Sequence, residues 1–187
     1  MSAELDKMMY SFVMEDVLKG VTISVPPGYV AAVYDLGRGV LKKVYTPGLH
    51  LKIPFWQKAK LFNVQTLEYT IDDEFNPEMV RALGDRPIEA TTRDGVDLSV
   101  EGTVLLRLDV HQIPVIWQTI GEDFTQKIIR PTIRSRFRLI ASRFTYEEIS
   151  ATKRDMIEVE LKNELERIFF PRGIFVENVL LGKVVQL

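Results

Sequence analysis

Cysteine is absent from this chain, and histidine occurs only at His50 and His111. Without cysteine there is no disulfide framework, no thiolate nucleophile and no thiolate zinc site, and two isolated histidines do not make a metal cluster. The same absence fits a reducing compartment. Charge of one sign is lacking too. The 24 basic and 26 acidic residues leave a net of −2, which gives no electrostatic case for nucleic acid as a partner. No apolar run approaches the ~20 residues that a membrane-spanning helix requires. Residues 1–20 carry Glu4, Asp6, Lys7, Glu15, Asp16 and Lys19, so they read neither as a signal peptide nor as a span. Ser2, where a glycine would follow Met1, breaks the N-myristoylation pattern. What is left is a chain of 187 residues, 46% hydrophobic and 27% charged, of the soluble globular class and long enough for one domain or two small lobes.

Leu5, Met8, Met9, Phe12, Val13 and Val17 fall at helical spacing and predict an amphipathic helix over 1–20. Its acidic polar side suits packing on protein better than lying on an anionic membrane, which prefers Lys and Arg there; both readings stay open. From Thr22 to about Ile71, Pro26-Pro27-Gly28, Gly37-Arg38-Gly39 and Pro47-Gly48 punctuate runs rich in Val, Tyr, Leu and Ile. That pattern predicts a small antiparallel sheet. Leu49, Leu51 and Ile53 alternate with His50 and Lys52, which puts His50 on the polar side of a strand with no chemistry assigned to it. Residues 72–86 are acidic and irregular and read as a connection between two lobes, 21–86 and 87–187.

Asp94-Gly95 between two β-rich runs predicts a hairpin with a tight primed turn. Val96, Leu98, Val100, Val104, Leu106 and Leu108 share one parity of a long strand, where Gly102 suggests a bend or bulge. Beyond it the periodicity is helical. Ile113, Ile116, Trp117 and Ile120 are set between Pro114 and Gly121 as start and stop signals. Ile129, Ile133, Phe137, Ile140 and Phe144 draw a second stripe, with Pro131 early in it or kinking it. Thr145 and Glu148 match a capping box. A last helix over about 152–170 turns Ile157, Leu161, Leu165 and Ile168 inward, and a strand returns over 174–181 after Pro171-Arg172-Gly173.

No catalytic constellation emerges. Asp94 is explained by its turn, and Asp97 and Glu101 by the polar face of a strand, four positions apart. Gly37-Arg38-Gly39 lacks the third glycine and following helix of a phosphate-binding loop, and no serine sits in a nucleophile elbow. The expectation is a protein that is not an enzyme, with neither cofactor nor metal. Charge is more informative. Lys127, Arg130, Arg134 and Arg138 form a basic stripe at helical spacing, in a stretch from Lys127 to Arg143 that holds no acid. The next helical region is acidic on balance, with Glu158, Glu160 and Glu164 among its carboxylates. Two readings follow: solvated faces with internal ion pairs of little individual worth, or a head-to-tail interface between copies, which closes rings when the rotation allows.

Taken in order, Val25-Pro-Pro-Gly-Tyr-Val-Ala-Ala-Val-Tyr34, Thr46-Pro-Gly-Leu-His-Leu-Lys-Ile-Pro-Phe-Trp-Gln57 and Thr92-Arg-Asp-Gly-Val-Asp-Leu-Ser-Val-Glu-Gly-Thr-Val104 resemble the SPFH (band 7) domain shared by stomatins, prohibitins and flotillins. Ile113 to Phe124 looks most like the prohibitin branch. The resemblance covers roughly 21–187. It implies an α+β fold, with a small antiparallel β lobe followed by a lobe of hairpin, strand and helices. It also implies a non-catalytic, membrane-associated scaffold that forms large ring or cage homo-oligomers, or hetero-oligomers with a paralogue. Such scaffolds organise membrane microdomains, with membrane lipid and a membrane-bound AAA+ protease as partners. Family members carry an anchor ahead of the domain and a coiled coil after it, so the chain is expected to be a piece of a longer one. Phe55 and Trp56 fall in the membrane-proximal lobe, where the aromatic pair either dips into headgroups or plugs the end of the sheet. The rival readings are a soluble adaptor or lipid-binding module that holds one partner without forming rings, and, with little support, a hydrolase using Asp94 to Glu101.

Overall fold

The computed structural model describes residues 20–74 and 83–187, in two compact units that divide between Val64 and Gln65. Residues 1–19 of the amphipathic helix expected over 1–20, and Pro77 of the acidic connection, lie outside the described residues. In the first unit, β1 (Thr22–Val25) pairs antiparallel with β4 (Gly48–Leu51). A three-stranded antiparallel sheet has β2 (Tyr29–Asp35) between β3 (Gly39–Val40) and β5 (Gln57–Asn63). Ile23 and Val25 of β1 pack on Ala31 and Val33 of β2, with Tyr29, Leu41, Tyr45 and Ala59 around them. The small side chain of Ala31, fully buried, lets β2 lie at the centre of this thin core.

The facing of β4 is the reverse of the sequence expectation. Residues directly opposite in an antiparallel pair share a face. Ile23 is opposite His50, and Ser24 is opposite Leu49. Because β1 commits Ile23 and Val25 to the core, His50 turns inward and Leu49 and Leu51 turn out, each 72% exposed. His50 stacks on Tyr45 at 4.7 Å between ring centroids, and its Nε2 lies 2.6 Å from the Thr46 carbonyl oxygen.

In the second unit, β6 (Leu67–Ile71), β7 (Leu83–Asp85), β8 (Ile88–Thr91), β9 (Asp97–Leu108) and β10 (Ile174–Gln186) form one sheet. β9 pairs along its length with β10 and, on its other edge, with β8 and then β6; β7 runs parallel to β6. The division expected at residue 86 differs from the observed one because β6 pairs with Gly102–Leu106 of β9, which commits it to the second unit. Leu98, Val100, Val104, Leu106 and Leu108 are buried, as their shared parity predicts. The irregularities lie not in β9 but in β10, where the register shifts between Val176 and Asn178 and again between Leu181 and Val184, just past the Gly102–Leu181 pair. The β8–β9 turn also departs from expectation. Gly95 has φ 80° while Asp94 does not enter positive φ, so neither primed turn, each of which needs positive φ at the first central residue, is formed. Thr92 instead closes the loop, its N–H donating to the Val96 carbonyl at 2.9 Å.

Helix α1 (Ile113–Thr119) has Pro114 in its first turn and Gly121 beyond its end at φ 93°. Next, a π-helical turn over Thr125–Ile129 leads into α2 (Arg130–Ala141). Pro131 lacks the N–H that would bond Lys127 and its ring crowds that carbonyl, so the chain widens there rather than kinking. Helix α3 (Arg154–Phe169) buries Ile157, Leu161, Leu165 and Phe169; Phe169, four residues after Leu165, takes the inward place expected of the half-buried Ile168. Ile133 and Phe137 of α2, Leu161 of α3 and Ile88, Val100 and Val179 of the sheet line one small cavity.

The capping box forms as read. Thr145 N–H donates to Glu148 Oε2 at 2.9 Å, and Glu148 N–H to Thr145 Oγ1 at 3.3 Å. The Lys153 ammonium, 2.7 Å from Glu148 Oε1, the Thr145 N–H and Arg93 hold the Glu148 carboxyl down at about 2. A lowered carboxyl contributes stability above its unfolded value, about 4.5, and loses it as pH falls toward about 2. Following the Glu148 side-chain carboxyl by NMR should show this low midpoint, and Lys153→Ala should move it up; an unmoved midpoint would mean that Lys153 is not its main partner.

Candidate functional site

The first unit ends in two adjoining turns. One joins β2 to β3 (Leu36, Gly37, Arg38), and the other precedes β5 (Ile53 to Trp56). Asp35, only 2% exposed, ties them together. Its Oδ1 accepts the N–H groups of Gly37 at 3.0 Å and Arg38 at 3.1 Å. Its Oδ2 accepts the Arg38 guanidinium at 3.0 Å and Gln57 Nε2 at 2.9 Å. Gln57 completes the link, its Oε1 accepting the Ile53 N–H at 3.0 Å. The hydrogen bonds of Arg38 and Gln57 outweigh burial and hold the Asp35 carboxyl far below the carboxylate range, so it is charged throughout the neutral range.

This keystone fixes the second turn in an uncommon shape. Phe55 has φ 62°, a left-handed conformation that costs a residue with a Cβ about 1–2 kcal/mol. Trp56 N–H donates back to the Pro54 carbonyl at 2.7 Å and Gln57 N–H to that of Ile53 at 2.9 Å. The result is a Phe55 side chain 98% exposed. It plugs nothing. Trp56 is half exposed, its indole lying against Gly37, where an added Cβ would sit 3.7 Å from Nε1. With Leu49, Leu51 and Ile53 at alternate positions before them, the two aromatics end a row of five outward apolar side chains.

The charged helices of the second unit are spent largely within the chain. Arg130 donates from Nε and Nη2 to both oxygens of Asp85, each at 2.8 Å. Arg134 Nη1 donates to Asp85 Oδ2 at 2.8 Å and to the Arg86 carbonyl at 3.1 Å. Arg138 Nε donates to the Glu89 carbonyl at 2.9 Å, and Lys127 Nζ to that of Ile120 at 3.1 Å. Along α3, Glu160 pairs with Arg143 at 2.6 Å, and Glu164 faces Arg136 at 3.9 Å and Arg167 at 3.4 Å. Glu158 accepts the Leu181 N–H at 2.7 Å, Lys162 donates to the Glu177 carbonyl at 2.8 Å, and Arg154 donates to those of Leu181 and Gly182. Both stripes therefore act as covers. Arg134 and Arg138 satisfy backbone at β7–β8, and α3 satisfies backbone along β10, which protects strand edges that would otherwise template pairing.

Two of the carboxylates weighed for chemistry, Asp94 and Asp97, also have local partners. Asp94 accepts the Thr92 hydroxyl and the Tyr146 N–H, and Asp97 accepts the Thr91 hydroxyl at 2.6 Å. Among the described residues, no group of three or more His, Asp or Glu is placed to hold a metal ion, and no helix is long and apolar enough to cross a membrane.

Residues 23–185 match the SPFH domain / Band 7 family. The chain belongs to that family. Its α+β architecture, a small β unit followed by a sheet with three helices, is the one the SPFH resemblance implied. Curated SPFH relatives are prohibitins at low identity. Prohibitin-1 of Schizosaccharomyces pombe is 27% identical over 166 residues, 87% of this chain and 52% of that protein. Prohibitin 1 of Mus musculus is 23% identical over 165 residues, 88% of this chain and 55% of that protein. Prohibitin-1 of Saccharomyces cerevisiae is 26% identical over 152 residues, 81% of this chain and 47% of that protein. The SPFH chain thus spans about half the length of the curated relatives it matches.

Proposed function

We propose that this SPFH chain is a non-catalytic building block of a membrane-associated scaffold, meeting the bilayer through the apolar row that ends in Phe55 and Trp56. What supports the reading is the Phe55 turn: a strained backbone, held by a buried carboxylate, that presents a fully exposed phenyl ring. An isolated exposed apolar residue is unremarkable, but five within the eight residues Leu49 to Trp56 mark an interaction surface. Amphipathic aromatics are favoured where hydrocarbon meets headgroup. Assembly into rings or cages with itself or a paralogue, and regulation of a membrane AAA+ protease, are carried into the proposal from the family. A head-to-tail contact through Arg134 and Arg138 is not relied on, because their reversal to Glu breaks the Asp85 clamp before it reports on assembly.

Vesicle flotation tests the membrane contact. The chain should float with phospholipid vesicles. Phe55→Ser with Trp56→Ser should weaken partitioning by about 30-fold, the equivalent of ~2 kcal/mol for two partly inserted rings, without changing the far-UV circular dichroism. Flotation at background for the unaltered chain would favour the adaptor reading, in which a protein partner takes the same edge.

A further inference from the structure

The whole-chain charge of −2 conceals a strong asymmetry. From Gly20 to Val64 there are six cations (Arg38, Lys42, Lys43, Lys52, Lys58 and Lys60) and one acid, Asp35, a net of +5. The nineteen residues ahead carry Glu4, Asp6, Glu15 and Asp16 against Lys7 and Lys19, which still leaves Met1–Val64 at +3. Asp35 is buried and turned onto Arg38 and Gln57, so no carboxylate of Gly20–Val64 is exposed. The cations, by contrast, reach solvent. Lys42, Lys43 and Lys58 are exposed, and the Arg38 side chain stays 67% exposed while bonded to Asp35.

Their placement follows the apolar row. Lys58 follows Trp56-Gln57 and Arg38 belongs to the turn adjoining Phe55, while Lys52, between Leu51 and Ile53, starts from the opposite parity and is half-buried, with a stem long enough to carry its ammonium to the rim. Lys42 and Lys43 occupy the loop between β3 and β4, with Lys43 Nζ 5.4 Å from the centroid of the Tyr45 ring. Lysines flanking an inserted apolar edge can lay their aliphatic stems along it and keep their ammonium groups at headgroup level. A second copy of this chain is a poor occupant for the edge, since a symmetric contact would set one cationic unit against another.

We propose that this edge selects bilayers bearing anionic lipid, its apolar row entering the interface while Arg38, Lys52 and Lys58, backed by Lys42 and Lys43, engage negatively charged headgroups. The inference rests on the membrane reading above and names the lipid class that it leaves open. Each cation near a negative surface adds an increment that salt screens within a Debye length, whereas the apolar contribution is indifferent to headgroup charge.

The test is partitioning of the intact chain onto vesicles of phosphatidylcholine alone and of phosphatidylcholine mixed with phosphatidylglycerol, at low and high salt. Binding to the mixed vesicles should be tighter by at least roughly ten-fold, and that advantage should disappear in high salt. Lys52→Gln with Lys58→Gln should cut partitioning onto mixed vesicles by about 20-fold and shrink the gap between the two vesicle types. The exposed pair Lys42→Gln with Lys43→Gln gives a smaller loss in the same direction, and serves if the half-buried Lys52 does not tolerate replacement. Equal binding to both vesicles overturns the lipid selectivity and leaves the membrane reading standing. Binding to neither overturns the membrane reading, and the selectivity with it. Salt-sensitive capture of polyglutamate without preference for anionic vesicles overturns the inference in favour of an acidic protein partner.

Discussion

Asp85→Asn is expected to lower the unfolding free energy by about 3 kcal/mol, measured by urea denaturation with the slope unchanged. Asp85 stands at the end of β7 with its side chain 5% exposed and receives three guanidinium hydrogen bonds from α2. Its Oδ1 also accepts the Arg86 N–H at 2.9 Å. Asparagine keeps the volume but loses the charge and turns a donor toward two cations. Removing one member of a buried pair costs about 3–5 kcal/mol because the partner is left uncompensated. The lower end applies here, since Arg130 is 46% exposed and can rehydrate. The same carboxyl sets a pH dependence. Burial pushes it up, but the hydrogen bonds of Arg130 and Arg86 N–H, with Arg134 beyond them, hold it below its usual value. The stability it brings is therefore full above the unfolded value of about 3.9 and drains away as pH falls below that. In the Asn variant this acid-side slope should shrink. A variant as stable as the parent would show that the clamp holds nothing that water cannot replace.

The clamp also marks the limit of what was legible in the sequence. The basic stripe from Lys127 to Arg138 was readable, because helical spacing is local. Its partners were not. Asp85 lies 45 residues before Arg130, in a stretch that looked like irregular connection, and nothing local identifies a three-residue strand there. An acid-free stripe and an acid-rich helix left two readings open, internal ion pairs or complementary faces on two molecules; within one chain the fold uses both stripes to cover the edges of its own sheet. Caps and stop signals fared better for the same reason of locality. Thr145 and Glu148, Pro114 and Gly121 each act within a few residues of themselves and appear where they were read.

Strand facing shows the opposite case. Alternation at Leu49, His50 and Leu51 tells which side chains share a face, not which face is inward. That choice is made across the ladder by Ile23 of β1, and it turned the apolar residues of β4 outward, producing the edge that carries the proposed function. Phe55 was legible as part of an aromatic loop, but its left-handed backbone was not, since nothing in Pro54-Phe55-Trp56 demands it; the Asp35–Gln57 link does. The positive charge of Gly20–Val64 was fully present in the sequence. It was averaged away by a whole-chain count, because the boundary that isolates it lies at Val64 rather than 86.

Gly102→Ala should destabilise the second unit by about 3 kcal/mol, enough to lower its thermal midpoint by several degrees. The reason is contact rather than conformation. Gly102 has no positive φ, so alanine can adopt its backbone, but the new Cβ would stand 2.6 Å from the Leu180 carbonyl oxygen. Backbone on a central ladder cannot step aside as a flexible side chain would. β9 is paired on both edges here, Gly102 facing Leu181 of β10 and Ile71 of β6, so relief on one side strains the other. The bulge after Leu181 is the place to yield, yet it is itself held by Glu158 on the Leu181 N–H and Arg154 on the adjoining carbonyls. Gly95→Ala is the contrast: its Cβ meets nothing within 4 Å, and its φ of 80° limits the cost to about 1 kcal/mol. Thermal melts of the two variants separate close approach from backbone strain. Equal, small losses would mean that β10 re-registers at its bulge, and that this edge is softer than its caps imply.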